Sequence, residues 1–292
     1  MSDIPLIVIV GPTGSGKTNL AIRIAKQFDG EVISADSRAV YQGLDIGTAK
    51  PTAEEMLDVP HWGIDMVGPH ERFTVVDFQR YAKSAIADIR ARGHIPILTG
   101  GTGLYVDSVV YDYQFPDSNL DTGLRDSLSS LTIDELHSYC ENNNIQLPEN
   151  KQNKRYVVNN IMRGGDNPKK SQRPVPNCIV VGIATEKHKL WSRLEDRASQ
   201  MWASGLVHEA HRESARYGWG SEAMTGNTYR VVRQYDNGLL DDVSAVKQIA
   251  VLDRQLAKRQ LTWLKRSEHI CWLDVDAAYT YVAQVLAARL NT

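Results

Sequence analysis

Leu6-Ile-Val-Ile-Val-Gly-Pro-Thr-Gly-Ser-Gly-Lys-Thr18 decides how the rest of the chain is read. The apolar, β-branched run at residues 4–10 suits a central strand buried on both faces of a parallel sheet. Gly11 to Thr18 meets every fixed position of G-x-x-x-x-G-K-[ST], and it lies between a predicted strand and a predicted helix. Glycines let backbone N–H groups turn inward around an anion, and the following helix N-terminus adds positive potential. Lys17 supplies a mobile positive charge, and the Thr18 hydroxyl suits Mg²⁺. Gly11, Pro12, Thr13, Gly14, Ser15, Gly16, Lys17 and Thr18 are therefore the candidate diphosphate-binding segment. The motif points to phosphate binding and leaves the reaction type open.

Outward from this loop, Leu20, Ala21, Ile24, Ala25 and Phe28 recur at helical spacing, and Gly30 is expected to end the helix. Glu31 to Ala35 is a second short apolar strand, so the chain opens as a βαβ unit. That strand runs into Asp36. In parallel sheets the strand ends face the ligand crevice, on the P-loop edge. A carboxylate there can take a proton from an incoming nucleophile. The same Asp in Ala-Asp-Ser-Arg could instead serve a turn, and spacing alone leaves both roles open. P-loop ATPases carry a later strand ending in Asp. Here Ile95 to Leu98 leads into Thr99-Gly-Gly-Thr-Gly-Leu-Tyr105, with no acid. Thr102 in this second Gly-rich loop is a candidate hydrogen-bonding wall of the site.

Further along, Phe78 to Arg92 is predicted helical and stopped by Gly93. Residues 112–174 turn polar and poor in strand signal, and read as an inserted, mostly helical subdomain. Its second half carries Lys151, Lys154, Arg155, Arg163, Lys169, Lys170 and Arg173 against one acid, Asp166. Residues 175–292 complete the core: a returning strand at Cys178 to Ile183, helices from 187 onward and a late strand near 270–273. The fold expected is thus α/β, a P-loop NTPase-like parallel sheet with flanking helices, its first part at residues 1–111. Asp241-Asp242 lacks the final acid of a DDxxD motif and reads as a turn or helix start.

The chain of 292 residues is 42 % hydrophobic and 23 % charged, with a formal net charge of -2. These are ordinary values for a globular protein, and the total charge does not announce nucleic acid, although a local basic surface can still attract it. Cys140, Cys178 and Cys271 form no CxxC pair and read as reduced thiols. Met1-Ser-Asp3 lacks the basic region of an export signal, and the first apolar run is too short for a membrane span. A cytoplasmic protein is expected.

Several blocks, taken in order, resemble the tRNA dimethylallyltransferases. They are Gly11 to Thr18; Asp36-Ser-Arg-Ala-Val-Tyr41; Asp45-Ile-Gly-Thr-Ala-Lys-Pro51; Val59-Pro-His61; Asp77-Phe78; Ile95 to Tyr105; Arg193 to Arg197 with Met201 and Gly205-Leu206; Tyr229-Arg230; and Gln255-Leu-Ala-Lys-Arg-Gln-Leu-Thr-Trp-Leu-Lys-Arg266. The resemblance spans most of the chain and is bacterial-like. It implies transfer of a dimethylallyl group from dimethylallyl diphosphate to N6 of the adenine 3′-adjacent to the anticodon, position 37. It makes Asp36 the base, and it gives the diphosphate to Thr13, Lys17, Thr18 with Mg²⁺, and Arg230. Thr13, Asp36 and Arg230 are then the catalytic set. The partner implied is a tRNA anticodon stem-loop, met by Asp36, Ser37, Arg38, Ala39, Thr102, Arg125, Gln152, Asn153, Lys154, Arg155, Tyr156, Lys258 and Arg259, with the enzyme acting as a monomer. The chain departs from the family pattern at Ala39, where many members have Gln; at Val158, often Arg; and at Thr228, often Gly. An adenylate isopentenyltransferase, a P-loop small-molecule kinase and a non-catalytic RNA-binding module are the competing readings.

Overall fold

The computed structural model describes residues 4–116 and 121–290; Met1-Ser-Asp3 lies outside the described residues. The elements, in chain order, are β1 (Leu6–Val10), α1 (Lys17–Phe28), β2 (Gly30–Ser34), α2 (Ala53–Met56), β3 (His61–Trp62), α3 (Val75–Ala91), β4 (Ile95–Gly100), α4 (Gly103–Val110), α5 (Thr122–Ser130), α6 (Ile133–Asn142), α7 (Lys154–Ile161), β5 (Cys178–Ile183), α8 (Lys187–Ala203), α9 (Leu206–Tyr217), α10 (Asn227–Asp236), α11 (Asp242–Leu264), β6 (Cys271–Leu273) and α12 (Val275–Leu290). All six strands are parallel and run in the order β3-β2-β4-β1-β5-β6. The chain divides into two compact units, Met1–Tyr111 with Arg173–Thr292, and Asp112–Gln172.

β1 is central because all five of its side chains are buried. Each is worth about 1.5–3 kcal/mol on leaving water, a gain available only with cover on both faces. Ile7, Ile9, Val32 and Ile97 pack on one face against Leu20 and Ile24 of α1 and Val282 and Leu286 of α12. On α3 and α4, Phe78 and Tyr105 stack with ring centroids 4.2 Å apart. A second core within this unit joins α8 to α11 with Val40, Tyr41 and Leu44. The Asp112–Gln172 unit has its own small core, built on Leu128, Leu136, Cys140, Val157, Val158, Ile161 and Met162.

Several boundaries differ from those the sequence suggests. α1 ends at Asp29, which takes the left-handed conformation at φ 51, and Gly30 already belongs to β2. Glycine is required at 30 for closeness: a Cβ there would lie 2.9 Å from Ile97 Cδ1 and 3.0 Å from the Ile95 carbonyl. α3 starts three residues early, because Thr74 and Asp77 form a reciprocal capping box. Asp241 starts α11 by accepting from the Ser244 N–H at 2.7 Å. The three cysteines are free thiols, and burial pushes Cys178 up to about 12.

Candidate active site

The P-loop turns where glycine permits it. Gly16 has φ 89 and is the N-cap of α1, but it has no side chain with which to cap. The first-turn N–H groups of α1 are therefore available to an anion. The turn is closed by the Ser15 N–H donating to the Pro12 carbonyl at 3.2 Å. Lys17 Nζ donates to the same carbonyl at 3.3 Å. Its pKa is pulled down to about 8, first by loss of water and then by the Arg197 cation, against the opposing pull of Asp36. A lysine held in this state regains its ordinary basicity once an anion sits beside it.

β2 delivers Asp36 to this edge. The Ala35 N–H continues the ladder onto the Thr99 carbonyl at 2.7 Å, and the chain then turns. Asp36 Oδ1 accepts from the Arg38 N–H at 2.8 Å. One oxygen of the carboxylate thus serves the turn and the other, Oδ2, is left without a hydrogen bond among the described residues. The second Gly-rich loop locks the turn: the Thr102 N–H donates to the Ala35 carbonyl at 3.2 Å, and Thr102 Oγ1 accepts from the Ser37 N–H at 3.0 Å.

The opposite wall comes from α8 and α11. The Arg197 guanidinium donates to the Thr13 hydroxyl, and Arg193 Nη1 reaches the Gly14 carbonyl at 3.5 Å. Four residues apart, the two arginines share one face of α8. Gln260 Oε1 accepts from the Thr13 N–H at 2.8 Å. Asp253 stands behind Arg197, Oδ2 to Nε 3.8 Å, and burial raises its pKa against the pull of that cation. α11 comes this near because the second loop lacks side chains. A Cβ on Gly103 would lie 2.1 Å from Trp263 Cδ1, and one on Gly101 would lie 2.4 Å from Gln260 Nε2. Trp263 is further pinned by its indole N–H donating to Asp107 Oδ2 at 2.7 Å.

A third wall is the loop at residues 45–51. Its anchor is Glu209, whose carboxylate is buried and accepts from the N–H groups of Asp45, Ile46 and Gly47, each at 2.8 Å. The Tyr229 hydroxyl donates to the same carboxylate at 2.8 Å, and Thr228 Oγ1 donates to the Gly47 carbonyl at 3.0 Å. Thr228 therefore contributes a hydrogen bond that glycine could not. Lys50 Nζ is buried between the Tyr41 carbonyl, Asp45 and Asp65. These walls enclose a cavity of about 930 Å³, lined by Thr13, Gly14, Gly16, Lys17 and Thr18, with Asp36, Ser37, Arg38, Ala39 and Thr102 and with Arg193, Arg197, Arg259 and Gln260.

The expected site residues are not all found there. Arg230 is absent from this lining. It lies on a second cavity with Trp219, Thr225 and Arg233, because the turn of α10 that sends Thr228 and Tyr229 toward residues 45–51 sends Arg230 elsewhere. Arg193 and Arg197 stand at the P-loop instead. Gly11, Pro12 and Ser15 are buried within the loop and do not line the cavity. Lys258 is outside the cavity, its ammonium 5.9 Å from the centre of the Trp191 ring. In the Asp112–Gln172 unit, Arg125 donates to Asn159 Oδ1 at 2.9 Å, and Asn153 caps α7 through the Arg155 N–H. Gln152, Arg155 and Tyr156 are exposed, and Lys154 is half-buried. Val158 is buried in that unit's core, an environment that would not accommodate an unpaired arginine.

Fold and site together define a P-loop protein whose Gly-rich loop faces a carboxylate across one cavity. Residues 39–267 match the IPP transferase family, and residues 4–65 match the isopentenyl transferase family. A tRNA dimethylallyltransferase of Anoxybacillus flavithermus is 36 % identical over 92 % of this chain and 90 % of its own. One from Staphylococcus haemolyticus is 37 % identical over 100 % and 93 %. The solved structure of the tRNA isopentenylpyrophosphate transferase of Bacillus halodurans superposes with a TM-score of 0.75 at 34 % identity, covering 99 % of this chain and 97 % of that one. The chain belongs to the IPP transferase family.

Proposed function

We propose that this chain is a tRNA dimethylallyltransferase, which moves a dimethylallyl group from dimethylallyl diphosphate to N6 of adenine 37, beside the anticodon of tRNA. The observation that carries this reading is the single cavity shared by the P-loop and the Asp36 carboxylate. The N6 amine attacks the C1 carbon of the allyl group, the C1–O bond breaks, and diphosphate departs with the bonding electrons. An adenine amine is a poor nucleophile, so a base near N6 and a cationic cradle for the leaving group are the two needs. Asp36 takes the N6 proton. Lys17, Arg193, Arg197, the α1 N-terminus and the Thr13 hydroxyl hold the diphosphate.

Mg²⁺ fits the donor set. Among the described residues no cluster of His, Cys, Asp and Glu forms a metal cage, and Mg²⁺ favours a few protein oxygens together with substrate phosphates and water. Thr18 would hold it, and the ion would neutralise charge on the departing diphosphate. The target adenine must leave its stack to reach Asp36. Ser37, Arg38, Ala39, Thr102 and Arg259 border the same cavity and receive it there. Arg125, Gln152, Asn153, Lys154, Arg155, Tyr156 and Lys258 are assigned to the rest of the tRNA. The enzyme works as a cytoplasmic monomer.

The test is a labelling assay with labelled dimethylallyl diphosphate and unmodified tRNA, AMP or no acceptor. Label in the tRNA alone is expected. Label in AMP alone would identify an adenylate isopentenyltransferase instead.

A further inference from the structure

Asp253, Ala257 and Gln260 are spaced four and three residues apart on α11, so they share one face of that helix. Gln260 accepts from the Thr13 N–H directly. Ala257 packs with Leu190 and Leu194 of α8, and a Cβ on Gly14 of the P-loop would lie 2.9 Å from Leu194 Cδ2. Asp253 faces Arg197, whose guanidinium donates to the Thr13 hydroxyl. One helix face thus bears on Thr13 twice, at its N–H through Gln260 and at its hydroxyl through Arg197. Asp253 is only 5 % exposed, yet its Oδ2 has no hydrogen-bond partner among the described residues, and neither has Arg197 Nε. The two atoms stand 3.8 Å apart, about 1 Å beyond a charge-assisted hydrogen bond. Buried polar atoms are normally bonded. A fold that needed only a filled space at residue 253 would be served as well by an apolar side chain.

The geometry of the fork gives the acid a role. Nε and Nη1 lie on opposite edges of the planar guanidinium. Asp253 stands at the Nε edge and Thr13 at the Nη1 edge, so the plane is held from both sides. Nη2, the remaining corner, has no hydrogen-bond partner among the described residues, and Arg197 borders the P-loop cavity. We propose that Asp253 is a positioning residue, which orients the Arg197 guanidinium so that Nη2 is presented to the diphosphate. This rests on the prenyl-transfer reading above and adds to it the group that aims one cation of the cradle. A free arginine must give up its rotamers to grip an anion, whereas one held from two sides has given them up before the anion arrives. Charge alone would act the other way. A carboxylate bordering an anion cradle repels the anion, so its removal would tighten binding. Removal of a positioning group weakens binding, and the two roles therefore differ in sign.

The experiment uses the full chain and four variants: Asp253→Asn, Asp253→Ala, Arg197→Ala and the double variant Asp253→Ala/Arg197→Ala. It measures the Kd of inorganic pyrophosphate by calorimetry, and the KM for dimethylallyl diphosphate and for an anticodon stem-loop RNA. Expected for Asp253→Ala is a pyrophosphate Kd and a dimethylallyl diphosphate KM each raised about tenfold, with the KM for RNA within about twofold of wild type. Asp253→Asn keeps the shape and one acceptor oxygen, and should lie between. In the Arg197→Ala background the Asp253→Ala change should no longer weaken pyrophosphate binding, because nothing remains to be oriented. Unchanged or tighter pyrophosphate binding in Asp253→Ala overturns the proposal; if that variant does not fold, Asp253→Asn decides by the same criterion. An equal loss in both backgrounds also overturns it, since residue 253 would then act on the packing and not through Arg197. An Arg197→Ala protein that binds pyrophosphate like wild type removes the cradle reading, and this proposal with it. Weakened binding in Arg197→Ala beside normal Asp253 variants refutes the positioning role alone. The choice of acceptor is tested separately by the labelling assay.

Discussion

The Arg197 guanidinium donates to the Thr13 hydroxyl from 184 residues further along the chain, and Asp253 stands behind it. This contact joins the P-loop to α8, so the cavity has walls from distant parts of one unit. Arg197 also lowers the pKa of Lys17. Two cations are thus held near each other, with Asp36 acting on Lys17 and Asp253 beside Arg197. On the proposed reading, an entering diphosphate relieves that repulsion, and the pair is preorganised for an anionic leaving group.

Arg197→Ala should raise the KM for dimethylallyl diphosphate roughly tenfold to a hundredfold, since a hydrogen bond to a charged group contributes about 1.5–3 kcal/mol. Arg197→Lys should recover part of this, because it restores charge but not the planar fork. Steady-state kinetics at saturating tRNA read the effect. An unchanged KM would remove Arg197 from the cradle.

Asp36→Asn tests the other half of the chemistry. The amide oxygen can still accept from the Arg38 N–H, so the turn survives, but it cannot take a proton. Turnover should fall about 10²–10⁴-fold, with the diphosphate KM within severalfold of wild type. Equal loss of diphosphate binding and turnover would mean that the carboxylate serves the loop and not the base role.

Lys17 makes the site pH-dependent in a defined direction. Its pKa is about 8 in the folded enzyme against 10.5 for the ordinary side chain. Between those values the unfolded chain holds the extra proton, so the stability cost of Lys17, complete below pH 8, is relieved as pH rises through that window. Anion binding reverses the shift. At pH 8.5, pyrophosphate binding should take up a fraction of a proton, seen by calorimetry in buffers of different ionisation enthalpy. Lys17→Met should lose that uptake, and its persistence would assign the proton elsewhere.

What could be read ahead of the structure was what is local. The P-loop, the strand ending at Asp36 and the later strands each declare themselves within a dozen residues, because burial on both faces and a tight Gly-rich turn leave compositional traces. Gln260 and Thr13 meet across 247 residues, and no window of sequence contains that contact. The i, i+4 spacing of Arg193 and Arg197 was visible, but not the loop it faces. β3 is two half-buried residues long, too short to leave a period. Arg230 borders the second cavity; rotation on α10 decides which cavity a residue borders, and a motif match does not carry rotation.

Glu209 is where a motif and its reason lie furthest apart. Asp45 to Pro51 is one of the blocks that carry the family resemblance, yet its shape depends on a carboxylate on α9, some 160 residues later, which satisfies three N–H groups and the Tyr229 hydroxyl. Tyr229 is held protonated, its pKa pushed upward by burial and by the Glu209 charge, so the hydroxyl remains a donor throughout the physiological range. Glu209→Ala would leave those four donors without their acceptor, and each buried orphan costs about 1–3 kcal/mol. The expected result is a fall in Tm of several degrees and a loosened cavity wall, with the KM for dimethylallyl diphosphate and for tRNA both raised. Glu209→Gln retains one acceptor oxygen and should lie between. Tyr229→Phe removes a single donor and should cost the least of the three. Thermal melts of the three variants establish the order, and a Glu209→Ala protein that melts with wild type would show that the loop holds its shape without the carboxylate.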